Sequence, residues 1–94
     1  MNITKLTENF SLIESTDAFE MNGNITRESN GNLNVYFTMA RPGGDVVGDC
    51  HYNKYGENTN VNFGVNCPEA NRDEVTAYAD TVIDSVLEYL KGNN

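Results

Sequence analysis

Residues 68–91, PEANRDEVTAYADTVIDSVLEYLK, decide the fold. Val75, Tyr78, Ala79, Val82, Ile83, Val86, Leu87, Tyr89 and Leu90 recur at three- and four-residue spacing, which makes one apolar stripe at about 100° per residue. This spacing predicts a long amphipathic helix that covers a sheet. Pro68 suits a first helical position because its missing N–H would be unpaired there anyway, and Asn71 offers a cap for a later start. Gly92 can take the positive φ that ends a helix, with Lys91 near the negative end of the dipole. Opposite the stripe, Asp73, Asp80, Asp84 and Glu88 form an acidic ridge.

Upstream of the helix the hydrophobic period falls to two. Phe19, Met21, Gly23 and Ile25 alternate with polar residues, and so do Leu33, Val35, Phe37 and Met39. Val46, Gly48, Cys50 and Tyr52 oppose Val47, Asp49, His51 and Asn53, while Val61, Phe63, Val65 and Cys67 alternate with asparagine and glycine. Glu28-Ser29-Asn30-Gly31, Arg41-Pro42-Gly43-Gly44 and Gly56-Glu57-Asn58 supply the breaks. Residues 1–15 are ambiguous. Ile3, Leu6, Phe10 and Ile13 have helical spacing, but Phe10, Leu12 and Glu14 alternate, so we expect a lead-in with one helical turn and then a strand from about Asn9 to Ser15. Ser15-Thr16-Asp17 makes the following turn.

The expected architecture is α+β: an antiparallel β-meander of four or five strands, dry on one face and wet on the other, with one C-terminal helix packed on the dry face. Pairing Met39 with Val46 sets Phe37 against Gly48 and Val35 against Cys50. Pairing Tyr52 with Val61 sets Cys50 against Phe63 and Val46 against Cys67. The same reasoning sets Phe10 against Gly23. Gly23 and Gly48 weaken their strands, so we expect dents there that a phenylalanine or the helix fills. A helix of about 23 residues is ~35 Å long, whereas five strands span only ~19 Å. The helix should therefore cross diagonally.

Ninety-four residues suffice for a single domain, 1–94, with one modest core. The 14 acids against 6 bases give a net charge of −8, which argues against nucleic acid and anionic membranes as partners and in favour of a basic protein. The first ten residues lack the charged start and apolar run of a signal peptide, and nothing approaches a membrane span, so a cytoplasmic location is expected. Asn2-Ile3-Thr4, Asn9-Phe10-Ser11 and Asn24-Ile25-Thr26 fit the N-glycosylation pattern, but such triplets arise by chance in a chain this rich in Asn and Thr.

No stretch carries a catalytic or metal motif. In the expected register Cys50 and Cys67 lie roughly 13 Å apart along adjacent strands, beyond disulfide reach, and read as free thiols. With His51 they lack the paired spacing of a zinc site. We therefore expect no cofactor and no metal.

On the wet face, Asn34, Tyr36, Asp49, His51 and Asn62 form a polar cluster. It is either a solvated surface or a binding face, with His51 as a base oriented by Asp49 in the catalytic version. Asn22, Asn24, Asn53, Asn60 and Asn66 extend it, although Asn disfavours strands. Tyr36 and Tyr55 are the expected aromatic anchors.

The resulting expectation is a small acidic non-enzymatic interaction protein. It resembles inhibitors or adaptors of phages and mobile elements in size and charge alone. Two surfaces compete for the role: the ridge of Asp73, Asp80, Asp84 and Glu88, and the sheet face. A ligand-binding module and a self-associating subunit, monomer or weak homodimer, are the alternatives. Duplex mimicry is excluded by spacing, since the ridge offers one charge per ~6 Å against one per ~1.7 Å of DNA axis.

Overall fold

The period-two segments fold into five antiparallel strands: β1 (Thr7–Ser15), β2 (Glu20–Glu28), β3 (Leu33–Ala40), β4 (Val46–Tyr55) and β5 (Asn58–Val65). They form one sheet in the order β1-β2-β3-β4-β5, followed by a 3-10 turn, Glu69–Asn71, and the helix α1, Arg72–Gly92. The computed structural model describes residues 1, 3 and 6–92. The helical turn expected ahead of β1 falls partly on Asn2, Thr4 and Lys5, and the triplet Asn2-Ile3-Thr4 falls there too; these lie outside the described residues.

Three glycines with positive φ close the short connections: Gly31 at 94°, Gly43 at 67° and Gly56 at 62°. The β1–β2 corner is held instead by Thr16, whose hydroxyl oxygen accepts from the Ala18 and Phe19 amides. This hydroxyl supplies the turn by a side-chain mimic of a backbone bond.

Apart from Val46 and Val47, the faces are assigned as the alternation predicts, but two registers differ from expectation by two residues. Phe10 pairs with Ile25, and Leu12 with Gly23. Phe37 pairs with Cys50, Val35 with Tyr52 and Met39 with Gly48. A slip of two preserves the face of every side chain, so the hydrophobic pattern does not resist it. The β3–β4 shift has a visible cause. The turn takes five residues, with Arg41 N–H bonding to the Asp45 carbonyl at 3.2 Å, and the ladder is irregular between Met39 and Ala40. This bulge swings Val47 into the core and leaves Val46 51% exposed, the reverse of the expected assignment. The β4–β5 register is as expected for Cys50–Phe63, Tyr52–Val61 and Gly48–Val65. The Val46–Cys67 pair does not form; the Asn66 amide bonds to the Val47 carbonyl instead.

The core lies between the dry face and α1. Phe37, Val35, Met39 and Cys50 from the sheet meet Val75, Ala79, Val82, Ile83, Val86 and Leu90 from the helix. The helix presses into Gly48, where a Cβ would lie 3.0 Å from Val75 Cγ1. At Gly23 a Cβ would collide with the Tyr36 carbonyl oxygen and the Phe37 Cβ, so that dent is occupied by the neighbouring strand.

The helix takes the later of the two expected starts, at Arg72 directly after Asn71, and not the one at Pro68. Pro68 stands before the 3-10 turn with φ −56° and ψ 144° and gives it no side-chain cap, and Asn71 ends that turn. At the other end Gly92 stays helical and takes no positive φ.

The crossing is diagonal, as the lengths require. α1 begins over β4 at Gly48 and ends near β2, where the Arg27 guanidinium donates to the Leu90 carbonyl at 3.3 Å. One outcome contradicts the sequence reading. Val61, Phe63 and Val65 of β5, expected in the core, remain 39%, 38% and 39% exposed, although α1 starts against β4 and β5.

Candidate functional site

The wet face is an array whose rows follow from the ladder. One row runs Ser11, Asn24, Tyr36, His51, Asn62, and the next runs Asn9, Thr26, Asn34, Asn53, Asn60. The third is Ile13, Asn22, Thr38, Asp49, Gly64. The two-residue shift thus changes the predicted cluster. His51 faces Tyr36 rather than Asn34, and the two rings lie tilted with centroids 4.3 Å apart. Asn62 remains beside His51 as expected, while Asn34 and Asp49 move to the flanking rows. The Asp49 carboxylate lies across Gly64, which has no side chain to obstruct it. It is therefore directed along its own row, away from the position that would orient His51 as a base.

The acidic ridge forms as predicted: Asp73, Asp80, Asp84 and Glu88 are all exposed on the outer side of α1. Its local countercharges are peripheral. Arg72 reaches Glu69 at 3.2 Å and Asp73 at 3.7 Å, and Lys91 lies 4.0 Å from Glu88. The other two arginines pair away from the ridge residues. Arg27 bonds Glu8 at 2.9 Å and sits 5.5 Å from the Phe10 ring centroid, while Arg41 pairs with Glu74 and lies 4.7 Å from that of Phe19.

A feature absent from the sequence reading lies beside the ridge. Between β1 and α1 runs a cleft of about 440 Å³ with Phe10, Leu12, Met21, Ile25, Val82 and Val86 in its walls. Tyr89, 53% exposed, belongs both to this cleft and to the shallow depression formed with Asp84, Ser85 and Glu88. The periodicity of α1 signals Tyr89 only as one more stripe residue. Its position at the edge of the stripe, next to Glu88, was the available hint.

At the far end of the cleft the Tyr78 hydroxyl donates to Glu14, and its ring stacks on Phe19 at 4.5 Å. Burial, and then the bond to this carboxylate, raise the Tyr78 pKa.

Both cysteines are free, Cys50 buried and Cys67 half-buried. Burial, with Asp80 and Asp49 behind it, pushes the Cys50 thiol up to about 11. Such a thiol is a small apolar core group and not a nucleophile at neutral pH. Among the described residues no group of His, Cys, Asp and Glu is placed to hold a metal ion. No helix among them is long and apolar enough to cross a membrane. Comparison with protein-family models, curated proteins and solved structures finds no match to this chain.

Proposed function

We propose that this chain is a small acidic interaction protein that docks a basic, amphipathic segment of a protein partner along the outer face of α1. The observation that carries the reading is the placement of Asp84 and Glu88 at the Tyr89 depression, continuous with an apolar cleft. Carboxylates alone attract a basic surface at long range but contribute little binding once exposed to solvent and salt. An adjoining apolar recess supplies the desolvated anchor that electrostatic steering lacks. Asp73 and Asp80 extend the attraction along the helix, and the net charge of −8 adds to it. An inhibitory or adaptor role, cytoplasmic and non-enzymatic, fits a chain that offers a charged rim and an anchor cleft.

The test is a titration with a synthetic helical peptide of alternating lysine and leucine faces, followed by amide chemical shifts. Shifts should centre on Phe10, Asp84, Ser85 and Tyr89. Affinity should fall at least tenfold between about 50 mM and about 300 mM salt, and again in the Asp84→Asn, Glu88→Gln double variant. Binding indifferent to both salt and the double variant would end this reading.

A further inference from the structure

β5 is an edge strand of eight residues, Asn58–Val65, and from Asn58 through Asn66 it contains no charged residue and no proline. The other edge, β1, carries Glu8 and Glu14. Native proteins blunt an exposed edge with charge, proline, a bulge or a cover. β5 has none of the first three, and α1 leaves Val61, Phe63 and Val65 more than a third exposed.

The hydrogen-bond phase of this edge follows from one contact. The Asn66 amide donates to the Val47 carbonyl at 2.8 Å, so Gly48–Val65 is a pair without mutual bonds. Alternation then turns the backbone groups of Gly64 and Asn62 toward β4. Those of Val61, Phe63 and Val65 point outward, away from the sheet. The residues with half-exposed apolar side chains are therefore also the ones that present unpaired N–H and C=O groups.

We propose that the occupant of this edge is a second copy of the chain, its β5 pairing antiparallel with the first about a twofold axis at Phe63. In that register Phe63 opposes Phe63 of the second copy and Val61 opposes Val65. Directly opposed residues in an antiparallel pair share a face, so six apolar side chains become contiguous beside the two helices. On the other face Asn62 meets Gly64, and Asn60 meets Asn66. The strand is self-complementary in side-chain type, as a twofold interface requires. It is also uncharged, so no charged side chain of the strand itself is brought against its copy; the Asp49 carboxylate over Gly64 and the net −8 of each copy supply the repulsion. The product is a continuous ten-stranded sheet. This repulsion between copies is screened by salt.

Sedimentation equilibrium over a concentration series tests this, with amide hydrogen exchange as a second measurement on the unmodified chain. The mass should rise with concentration from 10.4 kDa toward twice that value. Association should tighten at least threefold between about 50 mM and about 500 mM salt, opposite in sign to basic-peptide binding at α1. Failure of one reading is thereby distinguishable from failure of the other. The Val61, Phe63 and Val65 amides should gain protection with concentration. Val61→Lys, judged by its own melting curve to be folded, should weaken association at least tenfold. A mass of 10.4 kDa at every concentration overturns the proposal. So does protection gained on β1 and not β5, or a folded Val61→Lys that associates like the parent.

Discussion

The two edges of the sheet differ in how the helix treats them. Along β1, Phe10 meets Tyr89 edge-on at 6.2 Å and lies beneath Arg27, which Glu8 holds in turn. Glu14 at the other end of the strand bonds Tyr78. Along β5 the apolar residues of the same face have no comparable cover, and the strand lacks charge. A helix longer than the sheet is wide crosses it obliquely and does not cover both edges alike. Here α1 follows β5 in the chain, turns at Asn66–Asn71 and runs toward β1. β1 is covered by the Tyr89 and Arg27 side chains, whereas β5 stays more than a third exposed although the helix starts against it. Edge exposure depends on which side chains reach over the edge, which strand composition alone does not encode.

The largest expected effect that sharpens this comparison lies one strand in from β1. Gly23→Ala would drive a methyl group into the Tyr36 carbonyl oxygen and Phe37 Cβ, backbone-bound atoms that have little freedom to yield. A loss of about 3 kcal/mol is expected from such overpacking, measured by urea denaturation.

Truncating one phenylalanine at each edge comes next. Phe10→Ala removes a packed ring and should cost about 3 kcal/mol, against about 1 kcal/mol for Phe63→Ala in the monomer. Equal losses would show that β5 is as well covered as β1.

Alkaline stability probes the core between the edges. The Cys50 pKa is raised from 9.0 to about 11 by burial, Asp80 and Asp49, so the folded chain favours the protonated thiol. Because the folded value lies above the unfolded one, this contribution is fully present below pH 9 and is lost as pH rises toward about 11. The slope should approach about 1.4 kcal/mol per pH unit from this group within that window. Tyr78, also raised, steepens the decline above pH 10. A Cys50→Ala variant should show a flatter pH dependence of its denaturation midpoint from pH 9 to 10.

The smallest effect belongs to β5 itself. Gly64→Ala places its methyl against the Asp49 carboxylate, the far end of a side chain that can rotate away. A change within about 0.5 kcal/mol is expected, in contrast to Gly23→Ala.

The legible part of this molecule is the part that periodicity records. The types of β2 to β5 and of the helix, the antiparallel meander and the facing of Phe37, Val35 and Cys50 all follow from spacing of two against spacing of three and four. So does the solvent side of Asp80, Asp84 and Glu88. β1 carries both spacings, which leaves the count at four or five strands. Register was half legible. The β4–β5 pairing is tied by a short turn at Gly56, whereas the β3–β4 pairing shifted because a bulge at Val47 carries no compositional mark. That shift replaced a predicted Asn34–His51 neighbour pair with the Tyr36–His51 stack.

The sequence by itself determined which residues avoid water and with what period, because hydrophobic burial acts on each side chain and repeats with backbone geometry. Only the tertiary structure decided which apolar residues are actually covered. Val61 and Val35 have the same period and nearly the same chemistry, yet Val35 is buried beneath the sheet's cover and Val61 is not. Coverage depends on which side chains reach over each strand, Val75 at Gly48 and Tyr89 at Phe10 among them, and these contacts join residues far apart in the chain.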